Sequence, residues 1–243
     1  MNQIILGNVN IKVLQKKIKH VHLSVYPPSG GVRISAPLHM NTDTIRLFAI
    51  SKLHWIKKQQ IKFHNQVREA PREYINRESH YFLGKRYLLK VFEHKAAPNV
   101  AIKHEAIELY IRENTPKSKR KEIVEEWYRN ELKKLIPGMI KHYEKEISVK
   151  VQAFGIKKMR TKWGTCNRTA GRIWLNLDLA KKEREYIEYI VVHEMVHLLE
   201  RRHNDKFKAF MDKFMPKWRF YKEGLNRMPL QHENWNFELE QVG

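Results

Sequence analysis

Two histidines four residues apart, His193 and His197, with Glu194 beside the first, are the residues of this chain best spaced to do chemistry. On a helix, positions four apart lie one turn above each other on one face, so both imidazoles can reach one metal ion. Glu194 then sits where it can take a proton from a metal-bound water as general base. With 13 His in 243 residues, and Glu the dominant acid, this motif arises by chance in roughly 6% of chains, so it needs company. His203, six residues past His197, lowers the expectation to about 0.3%. A straight helix cannot bring it in, because ten residues after His193 a side chain is rotated about 80° away and about 15 Å further along. The chain must therefore leave the helix between Leu199 and Arg202, where there is no glycine to turn on. Two readings of a third ligand stand open. One is His203; the other is Glu223 from a later helix, with His203 an ordinary surface residue beside Arg201 and Arg202.

A second informative stretch is Arg160-Thr161-Lys162-Trp163-Gly164-Thr165-Cys166. Cys166 has no separate His and Asn to activate it, so it reads as a small buried thiol. After it, Ile173, Leu175, Leu177 and Leu179 alternate with Arg172, Trp174, Asn176 and Asp178. That pattern is an amphipathic strand, and as an edge strand it would bind a peptide by backbone pairing, with Trp174 and Asn176 as candidate substrate-binding residues. Arg160, Lys162 and Tyr221 are the candidates for stabilising an oxyanion.

The elements that must position these residues follow from periodicity. The first forty residues alternate, and Pro27-Pro28-Ser29-Gly30-Gly31 separates two strand-like runs, which predicts a β-hairpin. Asn41 or Thr42 can cap one helix running through Ile45, Phe48, Ile50, Leu53, Ile56 and Ile61. Strands are expected over 83–92 and 100–111, broken at Gly84-Lys85 and Ala97-Pro98-Asn99. Helix returns from Ser118 to about Glu146, with an interruption at Pro137-Gly138. Alternation reappears over 149–156 and 172–179; then come a long helix from Glu183 to about Arg201 and one or two more from Asn204 to Phe220. The expected fold class is α+β, with a β-rich unit over 1–115 carrying one helix and a catalytic unit over 116–243.

Composition narrows the class. A content of 42% hydrophobic and 11% aromatic residues argues against disorder, and 10 Gly with 9 Pro rules out collagen-like and low-complexity chains. No apolar run approaches the ~20 residues of a membrane span, so no membrane partner is expected. One Cys and no signal-peptide pattern at the start point to a soluble protein of the reducing cytoplasm. The net charge is +21. It reads either as a solvated basic surface or as a means of holding polyanions, including nucleic acid without sequence specificity. The last sixteen residues carry three Glu and no Lys or Arg, which leaves +24 for the rest. With Trp235 and Phe237, this acidic tail is expected to pack back onto the basic body, where His232 or Glu233 could approach the metal.

The ordered pieces KWGTC, GRIWLNLDLA, YIEYIVVHEMVHL and RHNDKFKAFM resemble the YgjP-like zinc metallopeptidases, relatives of the SprT-like and Wss-type proteases. The likeness extends to VYPPSGGVRISAP, SKLHWIKKQ and YFLGKRYLLKV in the first half. It departs at Arg202, Asn204 and Lys208, where the family carries Asn, Ser and Trp. The resemblance implies a zincin-like catalytic unit, zinc on His193, His197 and His203, and Glu194 as the catalytic base. A polypeptide is then the expected substrate. Some YgjP-like members are assigned as nucleotide pyrophosphohydrolases, which gives a second reading, although no GxxxxGK phosphate loop is present.

Overall fold

The computed structural model describes residues 2–26, 29–65, 72–159 and 162–227. The chain divides into two compact units at Pro71/Arg72, earlier than the boundary expected after residue 115.

In the first unit, β1 (Asn2–Leu6), β2 (Val9–Lys16), β3 (His22–Tyr26) and β4 (Gly31–Pro37) form one sheet in the order β1-β2-β4-β3. The expected hairpin is β3 against β4, antiparallel, with Val25 opposite Val32 and Leu23 opposite Ile34. The single expected helix is two, α1 (Thr42–Ser51) and α2 (Leu53–His64), separated at Lys52. Asn41 Oδ1 caps the first by accepting from Thr44 N at 2.8 Å. Ile45, Ala49 and Ile56 turn inward onto Ile4, Ile11, Val13, Val32 and Ile34 of the sheet and form one apolar core.

The second unit holds two sheets and four helices among the described residues. The strands β5 (Ser79–Phe82), β6 (Lys85–Glu93), β7 (Asn99–Lys103) and β8 (Ala106–Ile111) run in the order β5-β6-β8-β7. This sheet lies in the same unit as the histidines because its first hairpin is tied there by backbone hydrogen bonds. Leu83 N donates to Ala180 O at 2.9 Å, and Gly84 N donates to Lys181 O at 3.2 Å. Gly84 has φ +80°, and a methyl group on it would lie 2.3 Å from Glu183 Cγ, so the close approach requires glycine.

Helix α3 (Lys117–Ile147) runs through Pro137 without the expected interruption. Leu132, Ile136, Met139, Ile140 and Tyr143 are buried on both sides of the proline, and that burial outweighs the lost helical hydrogen bond. The third sheet combines β9 (Ala153–Lys157), β10 (Gly164–Asn167) and β11 (Arg172–Asn176) in the order β10-β11-β9. A 3-10 turn, Leu177–Lys181, leads into α4 (Arg184–Val196), followed by α5 (Asp205–Phe214) and α6 (Trp218–Arg227). Helix α4 is buried nearly all round, as its run Tyr186–Val192 foretells, and it packs on α3, α5, α6, β10 and β11. Tyr143 of α3 donates to Glu188 Oε1 of α4 at 2.9 Å and fixes the pair.

Because an internal proline costs a helix about 3 kcal/mol relative to alanine, Pro137→Ala is expected to raise stability by about 1–3 kcal/mol. Urea unfolding measures this; an unchanged or lower midpoint would contradict it.

Candidate metal centre

Helix α4 ends at Val196, with His197 as its C-cap, five residues before Arg201, where the periodicity placed its end. The last turns tighten: Leu198 N and Leu199 N donate to the carbonyls three residues back, at 3.0 and 2.9 Å. Glu200 then turns the chain in place of a glycine. Its carboxylate accepts from Arg202 N at 3.0 Å, and its carbonyl lies 3.0 Å from His197 Nδ1. No residue from 197 to 204 has positive φ, so the turn needs no left-handed position. Asn204 Oδ1 accepts from Phe207 N at 3.0 Å and starts α5, which leaves His203 in the bend just before the new helix.

The bend brings three imidazoles together. His203 Nε2 and His193 Nε2 face each other at 3.0 Å, and one ring nitrogen from each of His193, His197 and His203 lies within 4.8 Å of the others. The Phe207 ring, 1% exposed, packs on all three, with centroid distances of 5.0 Å to His193, 4.7 Å to His197 and 4.8 Å to His203. Burial, reinforced by the neighbouring imidazoles, pushes His193 down to about 3. Burial also lowers His197, and His203 with help from His197. All three are therefore neutral near pH 7 and offer lone pairs.

A divalent cation fits this donor set. The His197 Nδ1–H is held by the Glu200 carbonyl, which leaves its Nε2 lone pair to bind outward. His193 Nδ1 is buried with no partner among the described residues, and its Nε2 faces only His203, so nothing else competes for that ring. Tetrahedral zinc with Zn–N near 2.05 Å would space its nitrogens about 3.3 Å apart, close to the observed approach. His203 is exposed and the other two are half-buried, so the cluster opens to solvent on one side. Glu223, the other candidate ligand, pairs instead with Arg227 on the exposed side of α6 and is not in the cluster.

Glu194 is 5% exposed, and burial pushes its carboxyl up to about 8, with the Lys162 charge opposing. It lies against β10: a methyl group at Gly164 would stand 2.6 Å from Glu194 Oε1. Sequence reasoning missed this role of Gly164, as it missed Glu200 and Phe207. The Trp-Gly pair inside KWGTC was the one visible signal.

The open edge beside the centre is β10. Strand β11 is the central strand, paired on both sides, so it cannot be the edge on which a peptide adds. Trp174 instead covers Gly155, with Lys157 Nζ 4.8 Å from its ring centroid. Asn176 is 5% exposed and its amide is fully used. Nδ2 donates to Met159 O at 3.0 Å and to Lys162 O at 2.8 Å, while Oδ1 accepts from Met159 N at 3.3 Å and Asp178 N at 3.2 Å. Asn176 thus clamps the segment that enters β10. Among the oxyanion candidates, Tyr221 packs on Tyr186 and Tyr189, centroids 5.6 and 6.4 Å away, and Lys162 acts on Glu194 through its charge. Arg160 lies outside the described residues, as does the tail with His232, Glu233, Trp235 and Phe237. Cys166 is half-buried, and burial together with Glu194 pushes its thiol up to about 11.

Residues 19–228 match the family described as YgjP-like, metallopeptidase domain. Among solved structures, the metallopeptidase zymogen abylysin of Pyrococcus abyssi is 18% identical, with a TM-score of 0.35, and the match covers 37% of this chain and 90% of that one. No curated protein matches. Among the described residues, no helix is long and apolar enough to cross a membrane.

Gly164→Ala drives a methyl group into Glu194 and is expected to cut turnover at least about tenfold with bound metal retained. Wild-type turnover in that variant would remove the close approach from the account. Because the Cys166 thiol stands near 11, its thiolate is scarce at pH 8. Its alkylation by iodoacetamide should therefore rise about tenfold per pH unit from 8 to 10. A plateau below pH 9 would contradict the buried, neutral thiol.

Proposed function

Since the chain belongs to the YgjP-like metallopeptidase family, we propose that it hydrolyses peptide bonds with zinc held by His193, His197 and His203 and with Glu194 as general base. The observation that carries this reading is the convergence of three neutral imidazoles beside one buried carboxylate. Three protein ligands with one side open suit a catalytic site better than a structural one, which is closed by four. Zinc there would supply Lewis acidity to the scissile carbonyl and lower the pKa of water bound to it.

The chain's own residues do the rest. The His197 Nδ1–H bond to the Glu200 carbonyl fixes that ring's tautomer, and Phe207 fixes the planes of all three rings. Glu194, raised by burial, would be drawn down again by a dication on the three imidazoles, which would leave it poised to accept a proton near neutral pH. It then hands that proton to the leaving amine. The free edge of β10 offers backbone groups to an extended substrate, and Gly164 places that edge directly over Glu194.

Purified protein is expected to carry close to one zinc, and His197→Ala to lose it, because two imidazoles bind far more weakly than three. Glu194→Gln should keep the zinc and the fold yet lose at least about a hundredfold in turnover of unstructured polypeptide, followed by mass spectrometry. Metal content unchanged in His197→Ala, or full activity in Glu194→Gln, would overturn the assignment. So would turnover of nucleoside triphosphates with polypeptide left intact.

A further inference from the structure

The second sheet ends on a strand with one side unused. Strand β7 pairs only with β8, in an antiparallel register that sets Val100 opposite Leu109 and Ala101 opposite Glu108. The backbone groups on its far side therefore have no strand partner among the described residues. Natural sheet edges are blunted by charges, proline or a bulge. Here Pro98 precedes the strand and Lys103 ends it, while its middle is Val100-Ala101-Ile102, with Ile102 37% exposed.

Alongside the first half of β7 lies a cleft of about 480 Å³. Pro98, Asn99 and Val100 form one wall. The other is a stripe of α3, Lys119, Glu122, Ile123, Glu126, Trp127 and Asn130, whose spacing of three and four puts them on one face of the helix. Packing against Phe82 and Tyr128, with ring centroids 5.0 and 4.9 Å away, holds the Trp127 ring in place. The lining contains two carboxylates and one ammonium, on a chain whose net charge is +21. Each carboxylate is engaged through one oxygen. Lys119 Nζ donates to Glu122 Oε2 at 2.8 Å, and Arg129 Nε donates to Glu126 Oε2 at 2.9 Å. Both Oε1 atoms have no hydrogen-bond partner among the described residues. Exposed pairs of this kind contribute little to stability, so an incoming cation meets little competition from them.

We infer that the cleft and the free edge together bind an extended polypeptide that carries arginine. A strand added to β7 places alternate side chains on the α3 side, where the cleft lies. An arginine among them finds Ile123 and Val100 for its methylene stem, the Trp127 ring for its guanidinium plane, and the open oxygens of Glu122 and Glu126 for its donors. Nucleic acid fits worse, because the two carboxylates repel phosphate. The cleft shares no residue with the three imidazoles or Glu194, so this site stands whether or not the peptidase reading does.

The test uses the full chain carrying Glu194→Gln, so that turnover does not consume the probe. The probes are fluorescein-labelled peptides of equal length, alternating threonine and valine around a central arginine, alanine or glutamate. By fluorescence anisotropy the arginine peptide should bind at least about tenfold tighter than the alanine one, with the glutamate one weakest. Glu122→Gln combined with Glu126→Gln should reduce that preference to about twofold or less, with circular dichroism confirming the fold. Methylating alternate backbone nitrogens of the arginine peptide should weaken it at least about tenfold, since strand pairing needs those N–H groups. Equal affinity for the arginine and alanine peptides would overturn the inference. An arginine preference that survives in the double variant would do so too, by placing the peptide elsewhere, as would undiminished binding of the methylated peptide. A dimer that keeps the arginine peptide from binding would assign the edge to a second copy of this chain and sink the inference as well.

Discussion

A helix places two histidines on one face without help, but it carries any third residue ten positions on out of reach. The centre therefore depends on ending α4 at Val196 and reversing the chain within six residues. Glu200 does this with both ends of its own residue: the carbonyl takes the His197 Nδ1–H, and the carboxylate takes the Arg202 N–H. One residue thus turns the backbone and sets the tautomer of His197, which couples the loop's shape to that ring.

The surroundings of that turn are arranged so that the imidazoles stay neutral and the carboxylate stays close. Phe207 gives the three rings an apolar floor, which favours their uncharged forms and restricts their rotation. Asn176 satisfies all of its amide capacity on the segment entering β10, and so fixes where Gly164 passes over Glu194. Burying Glu194 this tightly is unfavourable while it is charged and alone, and a dication held by the three imidazoles would relieve that cost. On the proposed reading, the cation site and the base would be energetically one unit.

Much of this was legible in the residues. The apolar run Tyr186–Val192 announced a buried helix, and the spacing of His193 and His197 put both imidazoles on one side of it. His203 could not be settled by periodicity, because its arrival depends on a turn held by hydrogen bonds from Glu200, which leave no trace in hydropathy. Alternation in Arg172–Asn176 gave a strand but not its place in the sheet. Strand order depends on distant partners, and β11 turned out central, with β10 at the edge. Pro137 read as a break because local propensity argues for one, and the burial on either side of it overrides that preference. Which unit the second sheet joins has no local signal in the sequence either, because it rests on tertiary hydrogen bonds at Leu83 and Gly84.

The central claim is that one zinc is bound by three imidazoles and no other protein group. X-ray absorption at the zinc edge of the loaded protein tests it directly. The account predicts three imidazole nitrogens at about 2.0–2.1 Å, with the remaining first-shell scattering from oxygen. A sulfur scatterer near 2.3 Å, which would bring in Cys166, or a shell with fewer than three imidazoles, would contradict it.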